Sequence, residues 1–182
     1  MIRAAIPADL PVIHDLIRRL AAYERALEEA RATPEQLREA LFGADPAAHV
    51  LIAEDEESGE AVGFALWFRN FSTWTGTPGL YLEDLFVLPE ARGAGHGKAL
   101  LAALAAVCVE RGWSRFEWSV LDWNEKALAV YRAIGARPQD EWTVQRLAGP
   151  ALHALAAQAA PTSEAAPRTG AGPYNRAISH AN

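Results

Sequence analysis

The sequence predicts a mixed α and β domain built around one central sheet. Three observations carry that reading. Apolar runs of strand length alternate with stretches of helical period. Strands precede and follow the two later helices. Glycine, proline and asparagine fall between the runs, where turns and caps need them.

Ile2 to Ile6 reads as a first strand. Asp9 is placed to cap a helix that starts near Leu10-Pro11, since proline is tolerated in a first turn. Leu10, Ile13, Ile17, Leu20 and Ala21 recur at helical spacing up to about Tyr23-Glu24. Thr33-Pro34-Glu35-Gln36 has the form of a capping box and opens a short helix to about Phe42. His49 to Ala53 and Ala61 to Phe71 read as a hairpin across the turn Glu56 to Glu60. Ser72 to Gly79 reads as a loop around Trp74, and Leu80 to Leu88 as the next strand, stopped by Pro89. A glycine-rich loop, Arg92 to Gly97, leads into a helix from Lys98 to Glu110. Phe116 to Leu121 is a strand. Asn124 caps a helix that Gly135 ends. Trp142 to Leu147 reads as a further strand and Ala151 to Gln158 as a last short helix. The expected organisation is a single domain over residues 1–158 and a flexible tail rich in Ala, Pro and Gly over 159–182.

Composition narrows the function. A chain of 182 residues, 51% apolar and 22% charged, buries a core without disulfide or metal staples. No apolar stretch reaches the roughly 20 residues of a membrane span, and the N-terminus lacks the apolar region of a secretory signal. No membrane partner is therefore expected. Net charge is −6 with scattered basic residues, which argues against a nucleic-acid partner. Cys108 is the single cysteine, and His14, His49, His96, His153 and His180 form no close pair, so no metal is expected. A reducing, cytoplasmic setting fits.

The sharpest motif is Arg92-Gly93-Ala94-Gly95-His96-Gly97-Lys98, between an apolar strand and a helix. Alternating glycines let backbone N–H groups converge, and the helix start adds about half a positive charge. Arg92 and Lys98 add full charges, so a phosphate or pyrophosphate suits the loop. The alternative is a glycine-rich turn with no ligand. A dinucleotide fingerprint fails because the third glycine comes one residue early. A P-loop fails because Arg92 and Ala99 stand where glycine and Ser or Thr are required.

In Tyr81-Leu82-Glu83-Asp84-Leu85-Phe86-Val87 the paired carboxylates interrupt an apolar strand. Neighbours in a strand point to opposite faces, so one carboxylate enters apolar surroundings, a costly arrangement that needs a partner or a function. A local bulge or an edge position, leaving both solvated, is the other reading. Tyr131 falls on or beside the apolar face with Ala127 and Ile134, where a core tyrosine with its hydroxyl at the rim is the plainest reading. Trp118 and Trp123 have the same plain reading, His96 that of a solvated loop residue, and Cys108 that of a buried helix residue.

The pattern Arg-Gly-x-Gly-x-Gly after Leu-Phe-Val-Leu-Pro resembles the acetyl-CoA loop of the GNAT superfamily of N-acetyltransferases. Ser72-Thr73-Trp74-Thr75-Gly76, Tyr81 to Asp84, Leu121-Asp122-Trp123-Asn124, Tyr131 to Ala136 and Leu20 to Glu24 extend the likeness to the diamine and thialysine acetyltransferase branch, over about residues 1 to 150. That resemblance implies a mixed, mostly antiparallel sheet flanked by helices. It implies acetyl-CoA as co-substrate, with Leu85, Phe86 and Val87 pairing with its pantetheine arm and Gly93, Ala94, Gly95, His96, Gly97 and Lys98, beside Arg92, holding its pyrophosphate. Asn124 and Ala127 would line its other side and Tyr131 would sit beside the thioester sulfur. Tyr23, Glu24, Trp74, Glu83 and Asp84 would face a small-molecule amine. Members of the branch are usually homodimers.

Two departures bear on the substrate. The polyamine enzymes carry an acidic residue and a proline where this chain has Ser72 and Thr73, and a lysine at the position of Ala22. A shorter amine resembling thialysine, lysine or a short diamine follows from the thinner charge. The implied chemistry is direct attack of the amine, with Glu83 taking a proton, alone or through water, and Tyr131 returning one to the leaving thiolate. A backbone N–H of Leu85 to Val87 would steady the oxyanion. A protein or peptide N-acetyltransferase on the same scaffold, or a non-catalytic CoA-binding sensor, are the rival readings.

Overall fold

In the computed structural model, which describes residues 1–159, five strands form one sheet in chain order. They are β1 (Ile2–Ala4), β2 (His49–Glu54), β3 (Ala61–Ser72), β4 (Thr77–Val87) and β5 (Phe116–Trp118). β1 to β4 pair antiparallel, and β5 joins β4 in parallel over Leu80–Leu82 alone. The sheet is thus mixed and mostly antiparallel, as the resemblance implies.

Period-two alternation along β3 supplies both faces. Phe64 and Leu66 join a core with Ile13, Leu16 and Leu20 of α1 (Leu10–Tyr23) and Leu41 of α2 (Pro34–Phe42). Ala65 and Trp67 point the other way, toward Leu100, Leu101 and Leu104 of α3 (His96–Glu110). Phe64, Ile13, Leu16, Leu100 and Leu104 are fully buried, each contributing about 1.5–3 kcal/mol by leaving water. α4 (Glu125–Ala133) follows β5 and sends Tyr131 onto the α3 side of the sheet. Among the described residues no helix is long and apolar enough to cross a membrane.

Met1–Arg137 make one compact unit, and a second begins at Pro138. Within the second, α5 (Gly149–Ala156) is helical. The expected strand Trp142 to Leu147 does not form; these residues have no ladder, and Trp142 and Val144 are exposed. Alternating large side chains fit a strand, but a strand also needs a neighbour, which the local pattern does not supply. Residues 160–182, most of the expected tail, lie outside the described residues.

Other boundaries shift for identifiable reasons. β1 stops at Ala4, because Pro7 opens a 3-10 turn over Pro7–Asp9. β4 begins at Thr77 rather than Leu80, since Ser72 to Thr77 close a hairpin over a tip of Thr73–Gly76. Gly79 permits the pairing: a Cβ there would lie 2.6 Å from Asn70 Oδ1 and 2.7 Å from Arg115 Cγ. α3 already begins at His96, so the last residues of the expected glycine loop are helical. β5 ends at Trp118 rather than Leu121.

Asp9 does not cap α1. Its carboxylate accepts from Arg3 Nη1 and Nη2 at 2.6 and 2.8 Å and reaches back to the Ile6 N–H at 2.7 Å. Arg3 Nε also donates to Glu54 Oε1 at 2.6 Å. The group ties β1, the start of α1 and the end of β2 together. Arg3 holds the Asp9 carboxyl below the usual carboxylate range. Removing Asp9 leaves Arg3 with Glu54 alone and takes the acceptor from the Ile6 N–H. Asp9→Ala is expected to lower unfolding stability by about 1.5–3 kcal/mol at pH 7 in urea titrations. Because the folded pKa is depressed, that contribution is present above the unfolded value near 4 and lost as pH falls through the folded one. A gap between wild type and variant that fails to shrink with acid would contradict this role.

Candidate active site

The site begins with a miscount between two strands. β3 and β4 keep register from Gly63 opposite Val87 to Leu66 opposite Asp84, but Trp67 then faces Leu82. Glu83 is left with no cross-strand partner, the extra residue of a β-bulge. The bulge reverses the parity of β4. Leu80 and Leu82 point into the α3-side core, whereas beyond it Leu85 and Val87 point there and Phe86 points toward α1. Asp84, opposite Leu66, shares the α1 face. Glu83 is exposed and Asp84 is largely buried. The bulge therefore separates the two carboxylates instead of solvating both.

Burial first, then the like charges of Glu83 and Glu24, push the Asp84 carboxyl up to about 6. Burial also raises Glu24, the residue just past α1. Tyr131 is raised by burial and then by Glu24, so its phenol keeps its proton at neutral pH. Glu24 thus lies within electrostatic reach of both Asp84 and Tyr131. The Tyr131 ring is fixed on Trp118, with centroids 5.0 Å apart.

An aromatic wall joins α1 to the start of α4. Tyr23 packs against Phe86 at 6.4 Å and Trp123 at 5.9 Å between ring centres. Asn124 Oδ1 accepts from the Ala127 N–H at 3.3 Å, capping α4 as expected, and lies 3.4 Å from Tyr23 Oη. Asn124 thus joins the start of the helix bearing Tyr131 to the last residue of α1, directly before Glu24. Arg25, which the sequence reading does not single out, lies over Trp123 with its guanidinium carbon 5.7 Å from the ring centre. The signal available for it is an arginine just past a helix end, where glycine is favoured.

Beside this wall, the sheet opens. β5 leaves β4 at Leu82, so Leu85 to Val87 have β3 on one edge and no strand on the other. The Leu88 N–H donates to Val62 O across β3. By alternation, the N–H groups of Leu85 and Val87 point to the open edge. Gly93 and Gly95 turn with φ of 91° and 88°, values that L side chains rarely take, and deliver the chain to α3. Gly97, in the first turn, lies close under the strand: a Cβ there would meet Leu85 Cδ2 and Val87 Cγ2 at 3.9 Å. Ala94, His96 and Lys98 complete this turn, with Lys98 exposed. The strand edge offers the Leu85 and Val87 N–H groups, suited to an amide-bearing chain, and the start of α3 offers its first-turn N–H groups, suited to an anion.

Arg92 does not project freely from this loop. Its Nε donates to Val87 O at 3.0 Å, and its guanidinium carbon lies 4.8 Å from the Tyr23 ring centre and 5.6 Å from that of Phe86. It belongs as much to the aromatic wall as to the glycine loop. Trp74 is not brought to the carboxylates. It stands at the tip of the β3–β4 hairpin, 88% exposed, and Thr77 to Asp84 alone span about 23 Å of strand.

The site thus combines an open strand edge with a buried carboxyl raised toward neutrality and a phenol that keeps its proton. The model of the acetyltransferase (GNAT) family matches residues 13–136, and the chain belongs to that family and is an acetyltransferase. A thialysine N-epsilon-acetyltransferase from Sus scrofa is 39% identical over 165 residues, covering 86% of this chain and 96% of its own. An L-ornithine N5-acetyltransferase from Arabidopsis thaliana is 31% identical, with 85% and 86% covered. Among solved structures, an integron cassette protein from V. cholerae superposes with a TM-score of 0.71 at 26% identity, over 86% of this chain and 96% of its own.

The raised Asp84 carboxyl makes a stability prediction. Its folded pKa of about 6 lies above the unfolded value, so the fold favours the protonated group, and that contribution is lost as pH rises through about 6. Asp84→Asn removes the ionised form. The variant should match wild type near pH 4 and exceed it by about 1–3 kcal/mol at pH 8. Thermal or urea unfolding across that range checks it, and a stability difference independent of pH would contradict the assignment.

Proposed function

We propose that this acetyltransferase carries acetyl from acetyl-CoA to the primary amine of a small substrate bearing a second polar or charged group. The observation that carries the reading is the bulge, which turns Asp84 to the α1 face directly before the unpaired edge of Leu85 to Val87; burial raises that carboxyl toward neutrality, and Tyr131, stacked on Trp118, keeps its proton. Such pairs are how one site both accepts and donates a proton. The likeness to enzymes named for thialysine and for L-ornithine supports a small substrate with a side-chain amine.

Leu85, Phe86 and Val87 would hold the pantetheine arm by strand pairing, and Gly93 to Lys98 the pyrophosphate, with Asn124 and Ala127 on the far side. Acetyl-CoA supplies the activated thioester. Glu83 and Glu24 attract an alkylammonium to the site. The ammonium, with a pKa near ~10.4, has no free lone pair until a base takes its proton. Burial suits Asp84 better than Glu83 for this task. A carboxyl at about 6 rather than 3.8 narrows the gap to the ammonium, a gain of about 3 kcal/mol. The Leu85 N–H on the open edge is a suitable donor for developing negative charge. Tyr131 returns a proton to the departing sulfur.

Acetyl-CoA offered with a panel of small amines and of peptides, and followed by thiol release, tests the reading. Acetylation of peptides alone would overturn it. Tyr131→Phe keeps the ring on Trp118 and removes the donor. Its kcat should fall by about 10²–10⁴ with the KM for acetyl-CoA little changed. In wild type, kcat/KM should fall with acid below pH about 6 as Asp84 takes up its proton. Asp84→Asn should lose that limb along with most activity. A profile with no acid limb near pH 6 would take the role away from Asp84.

A further inference from the structure

α1 closes in a way that favours glycine. The Ala26 N–H donates to Ala21 O at 2.8 Å and the Arg25 N–H to Ala22 O at 3.1 Å, the paired bonds of a Schellman closure. Arg25 fills the left-handed position with φ 61°, alone among the described non-glycine residues. Glycine adopts that conformation with no Cβ penalty, and arginine does not. The return to the fold is small. The guanidinium stacks on Trp123, itself 48% exposed, and among the described residues it makes no ion pair. A strained backbone set against one stacking contact on a half-exposed ring, with the guanidinium donors unpaired among the described residues, points to a ligand.

Its surroundings say which ligand. Trp123 packs on Tyr23, and Glu24 precedes Arg25 in the chain. A cation-attracting cluster therefore stands beside a guanidinium with open donor sites. Arginine presents a fork of N–H groups that matches a carboxylate. Resting on the reading that the chain acetylates a small amine, we propose that Arg25 determines specificity by pairing with the carboxylate of the substrate. The amine goes to Asp84 and Glu24 while the carboxylate goes to Arg25. The preferred class is a small amino acid with a side-chain amine, over the diamine that lacks only the carboxylate.

Thialysine and bis(2-aminoethyl) sulfide are such a pair. With acetyl-CoA, wild type should favour thialysine by about tenfold in kcat/KM, after halving the diamine's value for its two equivalent amines. Arg25→Gly should fold with an unchanged or higher Tm and bring that preference close to one, through a raised KM for thialysine alone. Arg25→Lys should restore part of it. Equal use of both amines by wild type, or a full preference in Arg25→Gly, would overturn the proposal. A large loss of Tm in Arg25→Gly would also overturn it, by showing that the side chain serves the fold. If wild type acetylates neither amine but does acetylate peptides, the small-amine reading itself fails, an outcome distinct from equal use of the two.

Discussion

One extra residue in β4 governs the site. Without Glu83 out of register, β4 would keep one parity along its length, and Asp84 would share a face with Leu80 and Leu82 in the α3-side core. An ionised carboxylate there would be untenable. With the bulge, Asp84 turns to the α1 face, where Tyr23 and Glu24 arrive. At the same point of β4 the parallel pairing with β5 has ended at Leu82, so the Leu85 and Val87 N–H groups face a gap. The turned carboxylate and the open strand edge therefore adjoin.

Two helix ends then bring the remaining groups to that point. The end of α1 supplies Tyr23, Glu24 and Arg25, and the start of α4 supplies Trp123 and Asn124, with Tyr131 two turns further on. Asn124 Oδ1 near Tyr23 Oη and the stacking of Tyr23 on Trp123 hold the two ends together. Because these contacts are aromatic and partly exposed, they orient more than they stabilise. The stabilising weight lies in the fully buried Phe64, Ile13 and Leu16 behind them.

Much of this was legible in the sequence, for physical reasons that differ by residue. The capping box at Thr33 and the cap at Asn124 are local chemistry and appear as read. The carboxylate pair in an apolar strand announced a conflict, and a bulge was one of its two readings. Which carboxylate goes inside was not legible, because it depends on where β3 slips against β4. Asp9 misled for a similar reason: its capping role is local, but Arg3 and the Ile6 N–H compete for the same oxygens. Trp142 to Leu147 has a strand's alternation and no ladder. Arg92 reads as a loop cation, yet Val87 O and the Tyr23 ring engage it. Every one of these misses turns on a partner distant in sequence or on the competition between two partners.

The costs in this fold are concentrated in one region. Gly93 and Gly95 give up conformational freedom, Arg25 holds a left-handed backbone, and Asp84 is ionised against burial. Each costs the fold on the order of 1–3 kcal/mol. Natural domains hold only about 5–15 kcal/mol in total, so three such costs gathered around one gap are not incidental. They are tolerable because the sheet behind them is continuous from β1 to β4, and because the ionic group at Arg3, Asp9 and Glu54 braces its far edge. The arrangement separates labour by position: the β1–β3 side carries stability, and the β4–β5 side, where pairing stops after three residues, carries the groups held at a cost.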